Sequence, residues 1–210
     1  MKRVTGVKLR GSNLLLCLTM LIMVVTSMGC ATKGYYAVQS HPRMDFAADA
    51  QPAATAPTVE VIYEFKSNGV YSSIITQKYR WHVMDAVKKT GLFSKVNEEG
   101  VASDIKMVIS MNNVLDGIGG AIMAGCMEGC TFGIVGSKVT DNYEIDSTYT
   151  PKGKDALPMK YNYGITATSG WLGTTVEGGT NLATSDDAFY DILNQLILKW
   201  TADLKEKGVL

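Results

Sequence analysis

The chain has 210 residues, with 20 basic and 20 acidic side chains, a formal net charge of zero and 46% hydrophobic residues. That share of apolar side chains excludes a wholly disordered chain, and the length suits one domain of ordinary size. There is no basic excess to attract nucleic acid, so no nucleic-acid partner is expected.

The first residues carry only positive charge, at Lys2, Arg3, Lys8 and Arg10, and lead into a mainly apolar stretch of 12 residues at positions 14–25. Crossing a bilayer takes roughly 20 apolar residues, so charge, length and order read as an export signal that is cut off. Small Gly29 directly before Cys30 resembles the lipobox of bacterial lipoproteins, with Ser27 and Met28 departing from the Leu and the Ala or Ser usual there. The resemblance implies removal of residues 1–29, a diacylglycerol on the Cys30 thiol, and an acyl chain such as palmitate on its new amino group. Ala31 stands where Asp would signal inner-membrane retention, so the same resemblance implies the outer membrane and its periplasmic face. Acyl chains at ~0.8 kcal/mol per buried methylene hold a protein on a membrane without a spanning helix. The alternatives are an ordinary secretory signal cut elsewhere and an uncleaved anchor.

Cleavage removes four basic residues and no acidic ones, leaving 181 residues with 16 basic against 20 acidic side chains, a net charge of −4. Cys17 leaves with the signal and Cys30 is acylated, so Cys126 and Cys130 are the free thiols in an oxidising compartment.

Residues 30–58 carry Pro42, Pro52 and Pro57 among Ala, Gln, Ser and Asp, without helical or strand periodicity, and read as a lipidated Cys followed by a flexible tether. A coil of about 28 residues has a root-mean-square reach of roughly 30 Å. His41 lies in it and is expected to be merely solvated.

The folded domain is expected over 59–210. Val59, Val61, Tyr63 and Phe65 alternate with Glu60, Ile62 and Glu64 as a strand with one buried face, and Ser67-Asn68-Gly69 turns the chain. Ile75, Tyr79, Val83, Ala86 and Val87 predict a helix over 71–90 that stops at Gly91. His82 lies at the edge of its apolar stripe, with Asp85 three residues on; a structural histidine bonded to Asp85 or to backbone is expected rather than a zinc ligand or an acid-base group. Residues 92–96 read as a short strand, and Ile105, Met107, Val108 and Ile109 as a central one.

Residues 117–136 form a Gly-rich hydrophobic insert, with small residues at every fourth position: Gly117, Ala121, Gly125, Gly129 and Gly133. On a helix these would line one groove open to close backbone approach, as in assembly or membrane contact. So many glycines, each costing about 1 kcal/mol in a helix relative to alanine, oppose an isolated helix in water. Three readings stay open: a partly buried loop or hairpin, a segment that meets membrane or other copies of the chain, and a thiol or metal site at Cys126 and Cys130. The C-x3-C spacing matches neither a thiol oxidoreductase nor half of a zinc site, so no metal is assigned; off a regular helix the two cysteines can form a disulfide.

Beyond it, Val139, Asn142-Tyr143, Ile145, Ser147 and Tyr149, then Met159, Tyr161, Tyr163, Ile165 and Ala167, predict an antiparallel pair joined near Pro151-Lys152-Gly153-Lys154. Residues 169–184, with Trp171, read as a surface loop. The chain closes on a helix over 186–207, with Phe189, Ile192, Leu193, Leu196, Ile197, Trp200 and Leu204 facing the core, Ser185 as its cap and Gly208 as its end.

The expected fold is α+β: a mixed β-sheet packed by a crossover helix and a long C-terminal helix, with the insert between strands. This order, the segment from Ala86 through Thr90-Gly91-Leu92-Phe93 to Val96, and the ending Leu204-Lys205-Glu206-Lys207-Gly208 resemble the periplasmic domains grouped around the TolB amino-terminal fold. The resemblance implies an envelope lipoprotein that assists secretion or cell-wall assembly.

An enzyme is not expected. There is no G-x-S-x-G elbow, phosphate-binding loop or H-E-x-x-H, and Ile122 stands where the third glycine of a dinucleotide fingerprint would follow Gly117 and Gly119. No cofactor is implied. The expected role is binding or assembly in the cell envelope, with the membrane, an envelope protein or further copies of the chain as partners.

Overall fold

The computed structural model describes residues 32–48, 50–114, 137–169 and 176–210. In chain order the elements are β1 (Thr32–Gln39), β2 (Thr58–Ser67), β3 (Val70–Tyr71), α1 (Ser73–Lys89), β4 (Lys95–Asn97), β5 (Ile105–Val114), β6 (Ser137–Pro151), β7 (Leu157–Ser169), β8 (Thr180–Leu182) and α2 (Ser185–Glu206). The strands form one sheet in the order β3-β2-β5-β6-β7-β1-β8, with β4 also paired to β2. Pairing of β2 with β5 and β4 is parallel, and every other pairing is antiparallel. The fold is therefore α+β with a mixed sheet, as the order of elements implied, and α1 is the crossover that parallel strands require.

One sheet face carries the core because the side chains alternate with period two and the register keeps apolar rows aligned. Val61, Tyr63 and Phe65 of β2 lie opposite Met107, Ile109 and Met111 of β5, which lie opposite Tyr149, Ser147 and Ile145 of β6. All nine are buried. Both helices cover this face. From α2, Phe189, Ile192, Leu193, Leu196, Ile197, Trp200 and Leu204 are buried, each stabilising the fold by about 1.5–3 kcal/mol. Trp200 packs edge-on to Tyr149 at 5.7 Å, and Phe189 sits 4.2 Å from Tyr79 and 5.4 Å from Tyr143. On the opposite face Lys106, Glu144, Asp146 and Lys160 are exposed.

The tether expected at 30–58 is corrected: from Thr32 the chain is part of the sheet. Tyr35 and Ala37 of β1 pair with Ala167 and Ile165 of β7, and β8 pairs with the other edge of β1. The run Tyr35-Tyr36-Ala37-Val38 is apolar on both faces, so it lacks the apolar-polar alternation by which a half-buried strand is recognised. The following residues are strapped across α2. Arg43 forms a fork on Asp191 at 2.5 and 2.7 Å and also donates to Thr180, while Gln195 exchanges two hydrogen bonds with the Met44 backbone. His41, expected to be solvated, bonds through Nε2 to the Tyr163 hydroxyl at 2.8 Å.

Smaller differences have local causes. His82 is a structural histidine, as expected, bonded to the Tyr190 backbone; it also bonds to Asn194 at 3.2 Å and stacks on Tyr190, tying the two helices together, while Asp85 pairs with Lys89 at 2.6 Å instead. Thr184 rather than Ser185 caps α2, its hydroxyl accepting from the Asp187 amide at 3.0 Å. Within the loop expected over 169–184, residues Thr180–Leu182 form β8. At the end of α1, Gly91 takes φ +66°, and a Cβ there would come within 2.8 Å of Ala50, so the strap passes directly over this glycine.

Candidate functional site

The strands do not end level. Val114 pairs with Asn142 in the last β5-β6 step, yet β6 extends five residues further, 137–141, against β7 alone. β1 accompanies that extension, with Thr32 opposite Ser169, which is also opposite Ser137. Strands β6, β7 and β1 thus project beyond β2 and β5. On its helix-facing side the projection carries Val139 and Asp141 of β6, Ile165 and Ala167 of β7 and Tyr35 of β1. These overhang the N-terminal turns of α1 and α2, where Ile75, Tyr79, Ser185, Asp186 and Phe189 close a cleft of about 230 Å³.

The cleft walls are aromatic and its polar groups fall into two sets. Asp186 is satisfied: Lys78 and the Tyr79 hydroxyl both donate to it at 2.8 Å. Those bonds hold its carboxyl below the usual carboxylate range and raise the Lys78 ammonium. Asp141 is not. Its carboxylate makes no hydrogen bond or ion pair among the described residues, and burial alone pushes its pKa up. Next to it on the same face, Tyr143 is 5% exposed and its hydroxyl has no hydrogen-bond partner among the described residues. Burial first, then the Asp141 charge, raises that phenol. Asp141 is half-buried and its carboxylate is open to the cleft, so a group that enters there meets an unpaired acceptor beside the Tyr143 hydroxyl.

Three larger hollows lie elsewhere among the described residues. One of about 510 Å³ flanks the end of α1 beside Lys88, Lys89 and Asp85, one of about 600 Å³ lies at the opposite sheet end beside Pro57, Asp104 and Pro151, and one of about 490 Å³ lies beside Lys160, Tyr161 and Asp203. Lys89 holds Asp85 in the first, Asp104 accepts from the Thr58 amide and hydroxyl in the second, and Asp203 accepts from the Tyr161 hydroxyl in the third. Size therefore does not select the site; a half-buried, unpaired carboxylate among aromatic walls does.

Cys30, Cys126, Cys130, Gly117, Ala121, Gly125, Gly129 and Gly133 lie outside the described residues. Among the described residues no three of His, Cys, Asp and Glu come together as a metal site, and no helix is long and apolar enough to cross a membrane. Asp141 was not among the residues the sequence reading selected. The signal for it was an acid at an inward position of an otherwise apolar alternation, between Val139 and Tyr143.

No family model matches this chain, and no curated protein does. Among solved structures, a neuraminyllactose-binding hemagglutinin homolog from Helicobacter pylori is similar at 12% identity and a TM-score of 0.37, over 80% of this chain and 92% of that one. The PelC dodecamer from Paraburkholderia phytofirmans is similar at 9% identity and a TM-score of 0.32, over 72% of this chain and 92% of its own. Neither likeness assigns this chain a family or a function.

Proposed function

We propose that this chain is a lipoprotein anchored to the outer membrane through Cys30, on the periplasmic face, with a non-catalytic binding or assembly role in the cell envelope. The observation that carries the reading is Gly29-Cys30 at the end of the basic and apolar leader, two residues ahead of β1. The likeness of the helix-to-strand segment and the terminal helix to TolB amino-terminal-type domains supports an envelope role by analogy alone.

Loss of the tether changes what such an anchor does. Two residues of extended chain span at most about 7 Å, against the roughly 30 Å of a flexible coil, so the domain would ride on the lipid surface rather than sample the space above it. The end presented to the lipid would be the projecting one, since Thr32, Ser137 and Ser169 share it.

Metabolic palmitate labelling and density fractionation of wild type and Cys30→Ala test the anchor. Label and outer-membrane association are both expected to vanish in the variant; a variant that keeps its membrane association sinks the lipid-anchor reading. A second reading, assembly of copies through residues 117–136, is favoured by the insert leaving after Val114 and returning at Ser137, on the same end as the anchor. A detergent-stable ring supports it, and a concentration-independent monomer opposes it. A thiol role would require loss of function in Cys126→Ser with Cys130→Ser.

A further inference from the structure

We propose that the overhung cleft binds a primary ammonium group on a short alkyl stem, with the ammonium seated on Asp141 between the rings of Tyr35, Tyr79 and Tyr143.

Three observations converge on that chemistry. The cleft holds a carboxylate that nothing in the described chain neutralises, while the neighbouring acid, Asp186, already has its cation in Lys78. An ammonium supplies three donors and a positive charge, which match a carboxylate and the lone pairs of a phenol. The second observation is Tyr143, which is more than nine-tenths buried and lines the same hollow, its hydroxyl bonded to no group among the described residues. A ligand that met Asp141 alone would leave that hydroxyl unpaired; an ammonium between the two groups serves both. Third, aromatic walls suit a cation, which the faces of tyrosine rings attract, and they suit the apolar stem.

Size narrows the class further. At about 230 Å³ the cleft is below the roughly 300–1,000 Å³ of sites that enclose drug-sized ligands, so it takes one side chain or a small amine rather than a sugar chain or a nucleotide. An anion is opposed by both Asp141 and Asp186. The same ammonium chemistry can come from a lysine of a partner protein or from a free alkylamine. The inference rests on the cleft itself and stands whether or not the chain is lipidated.

The test titrates the full-length chain, purified in nonionic detergent, with n-butylammonium chloride, followed by calorimetry and by the tyrosine signals in NMR. Saturable binding is expected. Asp141→Asn should weaken it at least tenfold, and Tyr143→Phe several-fold. Asp146→Asn, whose carboxylate is on the opposite sheet face with Lys160, should leave it unchanged. Uncharged 1-pentanol and anionic butyrate should bind far more weakly. Nα-acetyl-lysine N-methylamide separates the sources: binding at least as tight as that of n-butylammonium assigns the cleft to a partner's lysine, and binding of the free amine alone assigns it to a small molecule. Absence of saturable n-butylammonium binding overturns the proposal. So does equal binding by wild type and a folded Asp141→Asn protein, with folding read from its unfolding midpoint.

Discussion

At the scale of the residue, Asp141 and Asp186 show how one cleft sets two carboxylates apart. Asp186, held by Lys78 and Tyr79, has its pKa lowered, so it contributes stability above the unfolded value that is lost as pH falls through the folded one. Asp141 has its pKa raised by burial, and the sign reverses. Its stability is fully present below the unfolded carboxylate value of about 3.9 and is lost as pH rises through the folded value. Asp141→Asn should therefore raise the urea midpoint at pH 7, and the gain should shrink to nothing on acidification below about pH 4. A midpoint at pH 7 that is unchanged or lower would mean that the carboxylate is matched after all. A side chain that costs stability at neutral pH is the kind of residue kept for binding rather than for folding.

At the scale of the element, the helices and the central strands follow from local pattern, while their ends are set by contacts from afar. The α2 stripe was legible because a spacing of three and four brings Phe189, Ile192, Leu193, Leu196, Ile197, Trp200 and Leu204 to one side of a helix whatever it packs on. Strands β2, β6 and β7 were legible through their two-residue alternation, and Gly91 through its place after the α1 stripe. What the pattern did not contain was the second reason for that glycine, the Ala50 backbone lying against it. Gly91→Ala is accordingly expected to cost more than the 0.4–1 kcal/mol by which such a change can act through the unfolded chain, and to destabilise rather than stabilise. Thermal unfolding of the variant checks this, and a raised midpoint would mean that the strap is not seated on the helix end.

At the scale of the whole molecule, the strap and β1 turn what reads as a leash into a structural layer. Residues 32–39 cover the edge of β7, and Arg43, Met44 and Gln39 engage α2 through Asp191 and Gln195. Deleting residues 32–57 while keeping Cys30 and Ala31 should abolish cooperative unfolding, or lower its midpoint by many degrees. A dispensable tether would leave both unchanged, so circular dichroism melts of the two proteins separate the alternatives. Under the proposed anchoring at Cys30, the domain would be held at the sheet end that Thr32, Ser137 and Ser169 share, and the cleft under the overhang lies close to that end.

By itself the sequence determined the α+β order and the inward rows of β2, β6, β7 and α2, because side-chain periodicity acts over a few residues. Only the tertiary structure decided that β1 lies between β7 and β8, that Arg43 meets Asp191 across 148 positions of chain, and that Asp141 ends in an aromatic hollow without a counter-ion among the described residues. The physical reason is range. A strand apolar on both faces, a salt bridge and a cleft are each completed by groups far away in the chain, and no local spacing records which groups will arrive.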